Sequence, residues 1–478
     1  QKSGIADNLQ LSLPYRNIGL AGRMAYNFDS RYFGEFTFGY NGSERFSKNN
    51  RWGFFPSGAL GWMVSNEEFF EPLTDVFSQF KLKGSYGMAG QDQIGSGNDR
   101  FYYLSDVNMG AGSSVHWGTL MDYNPGGVKF NRYANDEIGW ETSYKMNVGF
   151  EATTIFGLSA NVEYFTERRK NILLNRIIPG TMGIVPDVKA NLGKAKGHGV
   201  DMEFNYEKSF NKDLWMTGRA TFTYATSEAV EWEEPDYSAT PWLSKVGKSL
   251  GQEWGYIAER LFIDDEEVKN SPTQFGEYKA GDIKYRDVNG DGKISELDKV
   301  PIGFPTTPEI NYGFGLSAGY KGIDASFFFQ GSGRQSFWLD QKKVSPFIDG
   351  NSGTDHDDGM TGQNQVLQVI ADNYWSESNR NPYAFWPRLS SQTISNNNQT
   401  STWFMQDATF LRLKSVEVGY TLPRDLLKKI KVQNFRVYVS GTNLLCWSKF
   451  KLWDPEMAGN GFGYPIQRVF NVGINLGF

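Results

Sequence analysis

Along much of the chain apolar side chains occupy every second position, the spacing of a strand whose two faces meet different surroundings. From Leu158 to Glu167 one face carries Leu158, Ala160, Val162 and Tyr164, and the other Ser159, Asn161, Glu163 and Glu167. Tyr144 to Ala152 repeats the pattern, with Tyr144, Met146, Val148 and Phe150 opposed to Lys145, Asn147 and Glu151; Phe156-Gly157 joins the two as a hairpin. Val200, Met202, Phe204 and Tyr206 oppose Asp201, Glu203, Asn205 and Glu207, and a turn through Asn211-Lys212-Asp213 leads into Leu214 to Ala225. Two more hairpins are expected, Ile18 to Phe28 with Tyr32 to Tyr40 across Asp29-Ser30, and Ile310 to Tyr320 with Ile323 to Gln330 across Lys321-Gly322. These turn residues suit tight reversals. Near the end Phe435, Val437 and Val439 alternate with Arg436, Tyr438 and Ser440, and Val472, Ile474, Leu476 and Phe478 alternate with Asn471, Gly473, Asn475 and Gly477. Leu411 and Leu413 are out of phase with Val416, Val418, Tyr420 and Leu422, which predicts a β-bulge between them.

Turns at one end of these strands are tight. The connections at the other end are long: Gln91 to Asn135, Trp232 to Pro308 and Gly331 to Ser401. This asymmetry is that of an outer-membrane barrel, with short periplasmic turns and long extracellular loops. Two tight-side connections, Asn66 to Gln79 and Pro423 to Gln433, are longer, and each has room for a short helix such as Arg424 to Lys431 in a periplasmic cap. The fold class expected is therefore all-β, a transmembrane antiparallel β-barrel. Counting segments gives roughly thirteen strands, whereas bacterial single-chain barrels have even numbers. An incomplete wall is expected, with an N-terminal partner supplied from outside this sequence.

Composition agrees. Only 39% of residues are hydrophobic and the mean hydropathy is -0.49, while aromatics reach 15%. A barrel keeps hydropathy low because alternate residues face water, and its interfacial girdles raise the aromatic share. No run approaches the ~20 apolar residues of a spanning helix, and Gln1 to Gln10 lacks the layout of a signal peptide. With 54 acidic and 48 basic side chains and one cysteine, neither a nucleic-acid surface nor a disulfide framework is indicated.

One motif has chemistry. Asp287, Asn289 and Asp291 stand at positions 1, 3 and 5 of an EF-hand-like loop, with Gly292 at 6, the Lys293 carbonyl at 7 and Asp298 at 12. Bound Ca²⁺ would be structural, fixing an extracellular loop; an ordered metal-free turn is the alternative, since position 12 is not the longer Glu and Asp/Asn/Gly runs turn without metal. His116, His198 and His356 are scattered, which argues against zinc, and Asp355-His356-Asp357-Asp358 reads first as a solvated acidic run. Cys446 has no base near it in sequence and no nucleotide or hydrolase fingerprint is present, so the chain is not read as an enzyme. Glu163, Glu167, Asp201, Glu203, Glu207, Arg219, Asp324 and Glu417 fall on polar faces, as expected of any hydrated lumen. The loop aromatics Phe101, Tyr102, Tyr103, Trp117, Trp338, Tyr374, Trp375 and Trp386 can stack on sugars, contact a partner or pack the loops together.

A series of stretches spanning nearly the whole chain resembles the SusC-like branch of the TonB-dependent transporters of Bacteroidetes. They are Gly19-Leu20-Ala21-Gly22-Arg23, Arg31-Tyr32-Phe33, Phe38-Gly39-Tyr40-Asn41-Gly42-Ser43, Gly53-Phe54-Phe55-Pro56-Ser57, Gly61-Trp62, Lys83-Gly84-Ser85-Tyr86-Gly87, Trp140-Glu141-Thr142, Gly281-Asp282-Ile283-Lys284-Tyr285 with the Asp287 loop, Leu411-Arg412-Leu413-Lys414, Gly441-Thr442-Asn443-Leu444 and Trp453-Asp454-Pro455-Glu456. The resemblance implies that residues 1–478 are the C-terminal portion of a plugged 22-stranded barrel, with the plug and first barrel strands absent from this sequence. It implies a SusD-like surface lipoprotein as lid, energy from the TonB complex through the missing N-terminal region, and import of oligosaccharides or peptides across the outer membrane. Two other readings are a passive diffusion porin and a secreted β-rich glycan-binding protein or hydrolase.

Overall fold

The computed structural model describes residues 13–94, 101–111, 116–124, 126–184, 187–347, 364–423, 427, 432–459, 461 and 463–477. Thirteen strands make one sheet: β1 (Asn17–Phe28), β2 (Tyr32–Ser43), β3 (Trp52–Met63), β4 (Phe77–Gln91), β5 (Glu141–Thr154), β6 (Leu158–Asn175), β7 (Lys189–Ser209), β8 (Leu214–Glu231), β9 (Ile310–Tyr320), β10 (Ile323–Gly333), β11 (Phe410–Thr421), β12 (Asn434–Ser448) and β13 (Val469–Gly477). Each pairs antiparallel with the next, and the sheet is open at β1 and β13. Asp29 and Ser30 (φ 51° and 52°) and Lys321-Gly322 (φ 49° and 87°) take the left-handed backbone that the expected tight turns require.

Register carries the alternation across the wall. Phe150, Val162, Met202, Phe222 and Tyr312 form one row over five neighbouring strands. The adjacent row is Glu151, Asn161, Glu203, Thr221, Gly313 and Gln330. One face is thus apolar throughout and the other polar, because a two-residue side-chain period keeps every strand in phase. On the apolar face Val472 is 77% exposed and Ile474 66% exposed. In water such a face would be a large unsatisfied patch; against hydrocarbon it is the surface required.

The apolar band has limits. On β6 it runs from Leu158 to Tyr164 and then yields to Thr166 and Arg168; on β7 it runs from Tyr206 to Val200 and yields to His198 and Lys196. Four outward positions two residues apart span roughly 20 Å along a strand at ~3.4 Å per residue, which at a tilt of ~40° is about 15 Å of height, within a lipid-facing band of about 25 Å. Above it Lys196 pairs with Glu228 at 2.5 Å. β6, β7 and β8, with 18, 21 and 18 residues, therefore rise clear of the bilayer, since a crossing needs only ~9–11.

Several boundaries differ from the sequence reading for this reason. β7 begins at Lys189 instead of Val200, and β8 continues to Glu231 instead of Ala225, because above the apolar band one face of β7 carries Lys194, Lys196 and His198 and the other the small residues Gly193, Ala195, Gly197 and Gly199, so no apolar alternation marks the extension. The bulge expected in β11 is present: against β10, adjacent Phe328 and Phe329 pair with Ser415 and Leu413 and leave Lys414 as the extra residue. The 64–76 connection holds two 3-10 turns, Val64–Asn66 and Glu68–Leu73, the latter with Pro72 inside it. Most of Arg424 to Lys431, the Asp355-His356-Asp357-Asp358 run and Phe478 lie outside the described residues.

The protein core sits in the long connections, which the sequence reading left as loops. Short antiparallel pairs join Asp106–Ala111 to Gly127–Arg132, Glu253–Gly255 to Val300–Ile302, Ala258–Leu261 to Ile283–Tyr285 and Ser336–Trp338 to Met405–Asp407. Tyr256, Leu261, Ile283, Tyr285, Ile370, Trp386 and Phe404 pack together there and are almost fully buried.

The two faces respond oppositely to charge. Phe204→Arg is expected to cost about 2–4 kcal/mol if that position lies near the bilayer midplane, and Asn205→Arg, one residue on and facing the other way, close to nothing. Urea unfolding of the full-length protein in lipid vesicles measures both; equal costs would contradict the assignment of faces.

Candidate functional site

The polar face of the wall carries its charges in matched groups. Lys83 on β4 lies between Glu151 on β5 (2.8 Å) and Glu163 on β6. Arg23 pairs with Glu35 across β1 and β2 (2.8 Å), and Arg219 with Glu203 across β8 and β7 (3.2 Å). Arg436 on β12 reaches Asp324 on β10 through Nε (3.1 Å) and Glu417 on β11 through Nη2 (2.6 Å). The Thr223 hydroxyl donates to Asp201 (2.7 Å), and Glu167 accepts from Ser143 (2.6 Å) and Arg169 (3.0 Å). Of the polar-face residues singled out from sequence, Asp324 and Glu417 are brought together by one arginine, while Glu207 stands apart from these groups. The organising cations, Lys83 and Arg436, could not be picked out by local pattern because their partners lie one and two strands away.

Several family-like motifs meet in space and act as clamps. Arg412, 2% exposed, binds Asp454 (2.6 Å) and Glu456 (2.8 Å), so two motifs far apart in sequence form one buried ion cluster that ties the 449–468 connection to β11. Glu67 accepts from the Tyr32 hydroxyl (2.7 Å) and the Trp62 indole (2.9 Å) and lies 3.4 Å from Arg31, closing the tight-turn rim of β2 and β3. Trp140 donates its indole N–H to the Arg51 carbonyl (3.2 Å) and packs on Phe46 and Phe55 at 5.3 and 5.1 Å between ring centres.

The 232–309 and 334–409 connections interlock through a buried polar network. Asn396, fully buried, donates to the Ile283 carbonyl (2.7 Å) and accepts from Gln274 (2.9 Å), whose own Oε1 accepts from the Tyr285 amide (2.7 Å). The Tyr285 hydroxyl donates to the Asn396 carbonyl (2.8 Å), and Asn397 donates to Asp282 (2.8 Å). Asp282 is wholly buried with Arg388 Nε 2.9 Å away. Burial pushes the Asp282 carboxyl above its ordinary range; Arg388 and the Lys279 amide pull it back only in part. Burial also raises the Tyr256 and Tyr285 hydroxyls, which stay protonated as donors. Four of the loop aromatics noted above, Phe101, Tyr102, Trp375 and Trp386, are packed in loop cores, whereas Trp117 is exposed.

The Asp287 loop sits at the margin of this lobe. Asp287 accepts the Gly290 and Gly292 amides (2.7 and 2.8 Å), Asn289 Oδ1 accepts the Asp291 amide (3.0 Å), Asn289 Nδ2 donates to Asp291 (2.9 Å), and Asp291 accepts the Lys293 amide (2.8 Å). Asp298 is buried and accepts the Val288, Asn289 and Ser295 amides (2.8, 3.3 and 2.8 Å) and the Ser295 hydroxyl (3.4 Å). A carboxylate offers about four acceptor positions, so Asp298 is occupied as a backbone clamp, while Asp287, Asn289, Asp291 and the Lys293 carbonyl keep open lone pairs. Among the described residues no group of three or more His, Cys, Asp or Glu gathers as a metal cluster. Cys446 is exposed.

The family model described as TonB dependent receptor-like, beta-barrel matches residues 5–444. The chain is 26% identical to TonB-dependent receptor P3 of Formosa agariphila over 96% of its own length and 45% of that protein's. It is 25% identical to TonB-dependent receptor SusC of Bacteroides thetaiotaomicron over 96% of its length and 43% of the relative's. It spans about half the length of the curated relatives it matches. Among solved structures, a chain of the RagAB peptide transporter superposes with a TM-score of 0.71 at 23% identity, covering 97% of this chain and 48% of that one; this likeness shows the fold.

The Asp282–Arg388 clamp gives a test of the lobe. Arg388→Met leaves a buried carboxylate without its counter-ion and is expected to cost up to about 3 kcal/mol locally, the low end for a buried pair because Arg388 is partly open to water. Asp282→Asn, which keeps hydrogen bonding without the charge, is expected to cost less. Because folding raises this carboxyl's pKa, its contribution to stability is full below the ordinary carboxylate range and declines as pH rises through the raised value. Acid should therefore discharge this pair without destabilising the lobe, and hydrogen exchange in 256–285 and 381–402, followed against pH in both variants, measures the effect.

Proposed function

Since the chain belongs to the TonB-dependent receptor β-barrel family and its place is the outer membrane, we propose that it forms wall and extracellular loops of a SusC-like active importer. In this reading the full protein takes up oligosaccharides or peptides, a SusD-like surface lipoprotein covers the loop side, and the TonB complex supplies energy through a region outside this sequence. The observation that carries it is the combination of a two-faced wall with a packed lobe above it. A polar inner face alone would serve a passive porin; an extracellular lobe with its own buried core is a recognition structure as well. The chain's part is binding and passage, with no catalytic step.

Purification of the full-length protein from native outer membranes tests this. A surface lipoprotein is expected to co-purify, and cells lacking either this protein or TonB should lose uptake of an oligosaccharide or peptide. A protein that conducts ions alone, with uptake indifferent to TonB, would establish the porin.

We also propose, from residue spacing, that the loop takes Ca²⁺ as a structural ion, through Asp287, Asn289, Asp291 and the Lys293 carbonyl, with Asp298 holding the backbone around them. Ca²⁺ should then raise the melting temperature of the full-length protein, and Asp291→Ala should abolish the increment. Asp298→Ala should lower the melting temperature with or without Ca²⁺, since the amides left unpaired cost about 1–3 kcal/mol of stability. A melting temperature indifferent to Ca²⁺ and chelator would remove the metal and leave the clamp.

A further inference from the structure

The upper inner face of β5 and β6 and the 232–309 connection enclose a cleft of about 710 Å³. Glu141 and Arg169 reach it from the polar face of the wall, and Trp232, Gln252 and Trp254 from the connection. Its charges are largely neutralised internally. Arg169 lies 3.0 Å from Glu167 and 3.7 Å from Glu141, and Lys299 2.7 Å from Glu296; Lys245 and Glu253 add one charge of each sign. A charged ligand therefore meets no field of one sign to draw it in.

What remains for recognition is ring surface and hydrogen-bond acceptors. The Trp254 indole N–H donates to the Trp242 carbonyl (3.1 Å), which fixes the ring by its edge and leaves its faces for packing. Gln252 Nε2 donates to the Ile302 carbonyl (2.8 Å), leaving Oε1 as an acceptor. Flat apolar surface beside acceptors suits a ligand that has both C–H faces and hydroxyl donors, and the volume falls in the range of small-ligand sites. We propose that this cleft binds a short neutral oligosaccharide, through the rings of Trp232 and Trp254 and the acceptors of Glu141, Gln252 and Glu253. A short peptide brings a charge at each terminus, and to receive them the cleft would have to part ion pairs such as Arg169 with Glu167 and Lys299 with Glu296. The proposal rests on the importer reading and names the cargo class of that importer.

Calorimetric titration of the full-length protein in detergent tests it, with neutral trisaccharides of glucose, mannose, xylose and N-acetylglucosamine as probes beside one tripeptide with neutral and one with charged side chains. At least one trisaccharide is expected to saturate, with little dependence on NaCl. Trp232→Ala should weaken it roughly tenfold or more, and Trp232→Phe, which keeps a ring, should retain binding. The proposal is overturned if no trisaccharide binds, if a tripeptide alone binds, or if Trp232→Ala and Trp254→Ala both leave the affinity unchanged in folded protein. Tripeptide binding together with TonB-dependent peptide uptake would sink this assignment and leave the importer standing. Loss of the importer reading would show instead as uptake indifferent to TonB.

Discussion

Inside hydrocarbon a backbone N–H or carbonyl has no water to turn to, so each must be satisfied by a neighbouring strand. That constraint organises the molecule. It demands unbroken antiparallel pairing from β1 to β13, tight reversals at one rim, and lipid-compatible side chains on one face only. It also bears on the two open edges, since bare strand edges such as those of β1 and β13 have no partner inside a bilayer, and the importer reading accordingly takes this sheet as part of a larger wall. Even the fit of glycine to aromatic follows from keeping the pleat unbroken, as where a Cβ at Gly319 would collide with the Trp215 indole lying over it.

The hydrophobic effect then works in two places with opposite geometry. Through the band from Leu158 to Tyr164 apolar residues point outward, and the inner face uses ion groups such as Lys83 with Glu151 and Glu163. Above the band the chain is back in water and ordinary rules return. Tyr256, Tyr285, Trp386 and Phe404 turn inward, and Asn396 and Gln274 satisfy the polar groups that this burial would strand. The long connections are therefore a folded lobe with its own core.

How much of this was legible in the sequence follows the same boundary. Where one face met lipid the alternation was plain, and β9 was read to the residue as Ile310 to Tyr320. The phase slip in β11 announced its bulge. Above the band, as from Lys189 to Gly199, polar residues faced small ones and nothing marked the strand, and the short hairpins inside the connections, most with strands of three or four residues, were too brief to show a period. The clamps were half legible. Arg412 and Asp454 stood out as motif residues, yet only the fold shows that they are one contact. Likewise spacing singled out Asp298, and only the fold shows that its oxygens take up the Val288 and Ser295 amides.

The central claim is that alternate residues of a single strand meet oil and water. Replacing Cys446 by serine and placing a spin label at each position from Val200 to Tyr206 in turn, in the full-length protein in bilayers, addresses it directly. Labels at Val200, Met202, Phe204 and Tyr206 should be relaxed by oxygen dissolved in the lipid, and those at Asp201, Glu203 and Asn205 by a water-soluble nickel reagent if the lumen admits it, in strict two-residue alternation. Access of the nickel reagent to all seven positions, or oxygen accessibility without that period, would contradict the account.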